Sequence, residues 1–158
     1  MNLKIALRPA SKADEPFLFE LFRALRAGRF DFQPGGHPQM AVTVRLQFKA
    51  QEHALASHCA GSEHYIILLD GSPVGRLRVA RDETGIELAD ISVLPDHQRK
   101  GIGSAVMKNL IAEAYQGGLS IRSMVAQANE ASFHFYRNLG FEVTGQDADY
   151  VQLRWRPT

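Results

Sequence analysis

The sequence lacks most of the features that would assign it quickly to a large protein class. It has a single cysteine, Cys59, so no disulfide can close within the chain and a reducing compartment is the expected setting. Its 18 basic and 17 acidic residues leave a formal net charge of +1, without the basic excess of a dedicated nucleic-acid binder. No apolar run approaches the roughly 20 residues of a membrane span. The apolar part of Met1–Pro9 is too short for a signal peptide and reads as a first strand. A cytoplasmic protein with neither nucleic acid nor membrane as partner is therefore expected. Metal-like spacing is also missing: His53 and His58, five apart, point away from each other on a helix, and Cys59 adds no ligand pattern. Cys59 has no companion motif for a nucleophile and reads as a small buried hydrophobe.

With 158 residues, 45% apolar and 22% charged, the chain is expected to form one globular domain over residues 1–158. Leu3, Ile5 and Leu7 alternate with Lys4, Ala6 and Arg8, the period of a half-buried strand. Ser11–Asp14 resembles a capping signal, and Phe17, Leu18, Leu21, Phe22 and Leu25 then recur at helical spacing up to Gly28. Residues 29–38 hold Phe30, Phe32, three of the prolines and glycines that break regular structure, and then one more proline, so a loop is expected. A second helix follows over Gln39–His58, with Met40, Val44, Phe48 and Leu55 on one side. Strands are expected at His64–Leu69, Pro73–Val79 and Ile86–Leu94, with turns at Asp70-Gly71 and Asp82–Gly85. A helix from Ser104 to Tyr115, a strand at Leu119–Ala126, a short helix from Asn129 to Leu139, and strands at Phe141–Thr144 and Tyr150–Trp155 complete the chain. The class is α/β: a mixed, largely antiparallel sheet flanked by helices.

The most informative stretch is Leu88–Met107, LADISVLPDHQRKGIGSAVM. An apolar strand stops at Pro95, which has no N–H for a ladder. Gln98-Arg99-Lys100-Gly101-Ile102-Gly103-Ser104 then opens a helix. Unpaired N–H groups and the positive end of the helix dipole bind anions at such a start. Glycines at 101 and 103 would let phosphate oxygens approach with no Cβ in the way. A P-loop would need Lys and Ser/Thr after the second glycine, where Ser104-Ala105 stand; a dinucleotide loop would need glycine at Val106. A tight turn with glycines for packing alone stays open at this point.

The run Gln98–Gly103 resembles the Gln/Arg-x-x-Gly-x-Gly/Ala signature of the GNAT acetyltransferases. Asn129-Glu130-Ala131-Ser132-Phe133-His134-Phe135-Tyr136-Arg137-Asn138-Leu139-Gly140-Phe141 resembles that family's later Asn-x-x-Ala-x-x-x-Tyr-x-x-x-Gly-Phe block, with the alanine one place early. The resemblance implies an N-acetyltransferase that uses acetyl-coenzyme A, without metal, to acetylate a primary amine of a small molecule or protein in a ternary complex. It also implies that the Gln98–Ser104 turn holds the pyrophosphate and that backbone around Ile91 and Val93 pairs with the pantetheine arm as an added strand, leaving an N–H near the thioester oxygen.

The same resemblance points to Glu87, eleven residues before Gln98, as the base that takes the amine's proton; the plain alternative is a solvated strand start, with ordered water as base. Asp90 is second choice, on the opposite strand face if no bulge intervenes. Tyr136 is the candidate proton donor to the leaving thiolate, or else a core aromatic with a locally satisfied hydroxyl. Asn129 either hydrogen-bonds the cofactor arm or caps its helix. His97 is expected as an exposed loop residue touching the carrier, and Arg99 and Lys100 as phosphate attractors or solvated cations. Phe30 and Phe32 either line the acceptor pocket or hold their loop down. Two rivals remain: an acyl-coenzyme A sensor without chemistry on the same fold, and transfer of a longer acyl chain or to a hydroxyl. An exposed last strand could pair two copies into a homodimer.

Overall fold

The computed structural model describes residues 4–26, 38–58 and 61–158, with the side chains of 38–41 and 58 left aside. Phe30, Phe32 and Cys59, and the side chains of Met40 and His58, lie outside the described residues. The first strand, β1 (Ile5–Pro9), forms where expected but departs from the expected alternation: Leu7 is exposed, whereas Arg8 is half-buried by its ion pair with Asp14. A 3-10 turn over Lys12–Asp14 then buries Asp14, whose carboxylate accepts two hydrogen bonds from Arg8, at 2.9 and 2.7 Å, and one from the Ser11 N–H at 2.8 Å. Those bonds, Arg8 first, hold the Asp14 carboxyl at about 2, below its ordinary value. The turn leads into α1 (Glu15–Arg26), where Pro16 falls in the first turn and has no intrahelical bond to lose. The long α2 (Pro38–His58) runs past it.

Six further strands and two helices follow in the expected order: β2 (Glu63–Leu69), β3 (Ser72–Asp82), β4 (Gly85–Val93), α3 (Ile102–Gly117), β5 (Ser120–Ala126), α4 (Glu130–Asn138), β6 (Glu142–Gln146) and β7 (Tyr150–Trp155), making seven strands among the described residues. They form one sheet in the order β1-β2-β3-β4-β5-β7-β6, antiparallel throughout except for the parallel pair β4–β5. β3 is longer than expected because Ala80–Asp82 continue to pair with Gly85–Glu87 beyond Val79.

The strand period sorts side chains onto two faces. Ile67, Leu77, Val79, Ile86, Leu88, Ile121, Val125 and Leu153 meet Ile102, Val106, Met107 and Leu110 of α3 and Tyr136 of α4 in the main core. On the other face Ile66 meets Leu18 and Phe22 of α1 and Val44 and Phe48 of α2 in a smaller one. β3 and β4 approach so closely at Gly75 that a Cβ there would stand 2.2 Å from the Ser92 carbonyl oxygen. Only glycine permits that pairing.

Candidate active site

The parallel pair β4–β5 is short. Gly85, Ile86 and Glu87 align with Ser120, Ile121 and Arg122, and beyond them the two strands share no ladder. The sheet therefore opens like a wedge between Leu88–Val93 and Ser123–Ala126. On β4 the Leu94 N–H donates to the Val74 carbonyl at 2.8 Å, which sets the alternation of the antiparallel ladder. Asp90 and Ser92, in phase with Leu94, face β3 with their backbone groups; Ile91 and Val93 turn theirs to the open edge. The Val93 carbonyl already accepts the Gln98 side-chain amide at 2.9 Å, so Gln98 braces the turn against the strand. The N–H groups of this edge face the wedge.

The turn that follows sits at the start of α3. Arg99 and Gly101 both have positive φ, 63° and 85°, the left-handed conformations that curl successive N–H groups into an anion-binding nest. Ala105 N–H makes the first intrahelical bond, to Gly101 at 3.0 Å, so the N–H groups of Ile102, Gly103 and Ser104 have no intrahelical acceptor. A Cβ on Gly103 would touch only the Phe135 ring, at 3.5 Å. Packing therefore does not require glycine there, whereas close approach of a ligand to the first helical turn does. The Ile102 side chain is buried in the core, which leaves its N–H alone for a ligand. Arg99 and Lys100 are exposed beside the nest. His97 departs from expectation: it is half-buried, and its Nδ1 is shut from water without a hydrogen-bond partner among the described residues, because the 3-10 turn Pro95–His97 folds it back against the chain.

A bulge settles the relation between the two candidate carboxylates. Arg78 aligns with Asp90 but Val79 with Leu88, so Ala89 is an extra residue. Glu87, opposite Ala80, and Asp90, opposite Arg78, consequently share a face rather than taking opposite ones. Their surroundings differ. Asp90 accepts Arg76 Nε at 2.7 Å and Ser92 Oγ at 3.1 Å, and the buried Arg76 also holds Glu52 of α2. Asp90 is thus committed to an ion pair. Glu87 is exposed and lines a cavity of about 520 Å³ with Gln51, Ala54 and Leu55 of α2 and with residues of β5 and β7.

Tyr136 is 5% exposed, set edge-on to Phe135 and Phe141. Its hydroxyl hydrogen-bonds with Ser123, and Ser123 lines the same cavity as Glu87. Burial pushes the phenol up to about 12, the hydrogen bond to Ser123 opposing the shift and Asp90 adding to it, so the hydroxyl keeps its proton at any working pH. Asn129 caps α4, its Oδ1 accepting the Ser132 N–H at 3.1 Å, which leaves its side-chain NH2 as the group available to a cofactor arm. Ser123 was not singled out in the sequence. Its signal is a polar residue at an inward position, flanked two places either side by the buried Ile121 and Val125.

The Acetyltransferase (GNAT) family model matches residues 22–141. The chain belongs to the GNAT acetyltransferase family. Among curated GNAT relatives, the L-amino acid N-acyltransferase MnaT of Escherichia coli is 40% identical over 57 residues, 35% of this chain and 33% of that protein. An uncharacterized N-acetyltransferase of Mycobacterium bovis is 30% identical over 96 residues, 54% of this chain and 62% of that one. The chain thus matches less than two thirds of the length of each. Among solved structures, the PaiA N-acetyltransferase of Thermoplasma acidophilum in complex with coenzyme A superposes with a TM-score of 0.71 at 18% identity, over 97% of this chain and 99% of that one. The ribosomal-protein-S18-alanine N-acetyltransferase of Escherichia coli gives 0.66 at 18% identity, over 98% and 95%. These structures share the GNAT fold with this protein.

Proposed function

We propose that this chain is one catalytic domain that transfers an acetyl group from acetyl-coenzyme A to a primary amine. The observation that carries the reading is the open β4–β5 wedge, with an N–H nest at its mouth and Glu87 and Ser123–Tyr136 on its walls. The residues present fit the carrier: N–H groups at Ile102, Gly103 and Ser104 for the pyrophosphate, Arg99 and Lys100 beside them, and the edge at Ile91 and Val93 for the arm. When bound, acetyl-coenzyme A supplies the activated acyl thioester.

The chain's own groups meet the remaining demands. An alkyl ammonium is almost fully protonated at neutral pH, with an ordinary pKa of about 10.4 for lysine, so Glu87 accepts one of its protons, directly or through water. The edge N–H groups of β4 stabilise charge that develops on the carbonyl oxygen, a contact worth on the order of 10²–10³ in rate. The nitrogen–carbon bond forms as the carbon–sulfur bond breaks, and the second ammonium proton passes to the departing sulfur. Tyr136, held neutral, donates a hydrogen bond to that sulfur.

Calorimetric titration with acetyl-coenzyme A tests the cradle. Micromolar binding that is lost in Gly103→Glu is expected, since that side chain sets a carboxylate in the nest while its Cβ meets only a ring at ordinary contact distance. Equal affinity for both proteins would overturn the cradle. Binding without thiol release from any amine would leave the protein a sensor rather than an enzyme.

A further inference from the structure

On the cavity face of the sheet one row of side chains is unusual in its charge. Glu87 on β4 aligns with Arg122 on β5, Arg122 with Arg154 on β7, and Arg154 with Glu142 on β6. Glu87, Arg122 and Arg154 all line the 520 Å³ cavity. Two arginines directly opposite each other across an antiparallel pair repel and destabilise the sheet. Two of the acids nearby, Asp82 and Glu142, are poorly placed to relieve them. Asp82 comes no closer to Arg122 than 3.8 Å, and its other oxygen holds the Thr84 and Gly85 N–H groups. Glu142, at the exposed edge, reaches Arg156 at 3.4 Å. Arg154 makes no ion pair among the described residues, and its Nε is shut from water with no hydrogen-bond partner among them.

From this arrangement we infer that the acceptor is an amine that also carries a carboxylate, held by the paired guanidinium groups of Arg122 and Arg154 while its nitrogen sits at Glu87. This rests on the acetyl-transfer reading above. Neighbouring strands lie about 4.8 Å apart, so a nitrogen over β4 and a carboxylate over β5 and β7 are separated by only a few bonds, as in an amino acid. Guanidinium forks match a planar carboxylate in two parallel hydrogen bonds. Ala54, Leu55 and Met124 supply an apolar part of the wall beside the polar Gln51, Thr144 and Gln152, a surface on which an apolar side chain can lie. A polyamine would bring further cations against two arginines and is disfavoured by the same charges.

The test compares leucine with leucinamide, 3-methylbutylamine and spermidine by thiol release, in wild type and Arg154→Gln. A kcat/KM for leucine at least about tenfold above the three carboxylate-free amines is expected. In Arg154→Gln that preference collapses through a raised KM for leucine; a merely structural role would lower all four alike. Equal or better turnover of a carboxylate-free amine by wild type overturns the inference while leaving acetyl transfer intact. If acetyl-coenzyme A binds but no amine is turned over, titration of leucine into the coenzyme A complex decides. Binding that Arg154→Gln abolishes supports carboxylate recognition even as the transfer reading falls, and no binding sinks both.

Discussion

Beneath α3 and α4 the buried part of the sheet offers Ile67, Leu77, Val79, Ile86, Leu88 and Ile121, with Ser123 as a buried polar side chain among them and the Arg81–Glu113 ion pair at the rim. Turn the same strands over and, beneath α2, they offer Arg76, Arg78, His64 and Asp90. One face is held mainly by non-directional burial of apolar area. The other adds to its smaller apolar core a set of directed, charge-assisted hydrogen bonds in partial burial, where removing one partner strands the rest. The contrast divides the domain into a face shaped by backbone geometry and packing and a face shaped by side-chain charge.

That contrast breaks most visibly at Arg76. Arg76→Met leaves Asp90 and Glu52 facing each other without their shared cation, and a loss of roughly 3–5 kcal/mol in chemical denaturation is expected. Met107→Ala on the apolar face should lose about 2–5 kcal/mol, but with an unaltered dependence of stability on pH. Equal pH profiles for the two variants would erase the distinction between the faces. Within the site, Glu87→Gln should lower kcat about 10²-fold with acetyl-coenzyme A affinity retained by calorimetry; unchanged turnover would transfer the base role to water. Tyr136→Phe keeps the ring packed against Phe135 and Phe141 and should slow turnover by about tenfold with little change in binding.

The smallest effect is on acid stability. Burial first, then Arg78 and Arg76, push His64 down to about 4 from its ordinary 6.5. The unfolded chain therefore binds more protons than the folded one between those values, and stability falls as pH drops through that window. Asp14, held at about 2 against an ordinary 3.8, adds a further loss as pH falls from about 4 to about 2. His64→Gln should flatten the first phase of an acid-denaturation curve and leave the second. An unchanged first phase would remove His64 from the account.

Local rules acting on single residues were readable without the fold. The Ser11–Asp14 cap, Pro95 as a strand stop and the Gly101–Gly103 helix start each act within a few residues, so the order of elements and the glycine turn that opens α3 followed from the chain alone. Interactions between distant segments were not. The extra residue Ala89 that brings Asp90 round to the face of Glu87, the capture of Asp90 by Arg76, the hydroxyl pair Ser123–Tyr136 and the alignment of Arg122 with Arg154 all depend on strand register. Register is set when strands separated by tens of residues bury a common face, and a shift of one place would send every one of these side chains to the other side of the sheet. The sequence alone determined which elements form and where a glycine turn opens α3; the tertiary structure decided which charges meet across the cavity, because pairing between strands has no local signature.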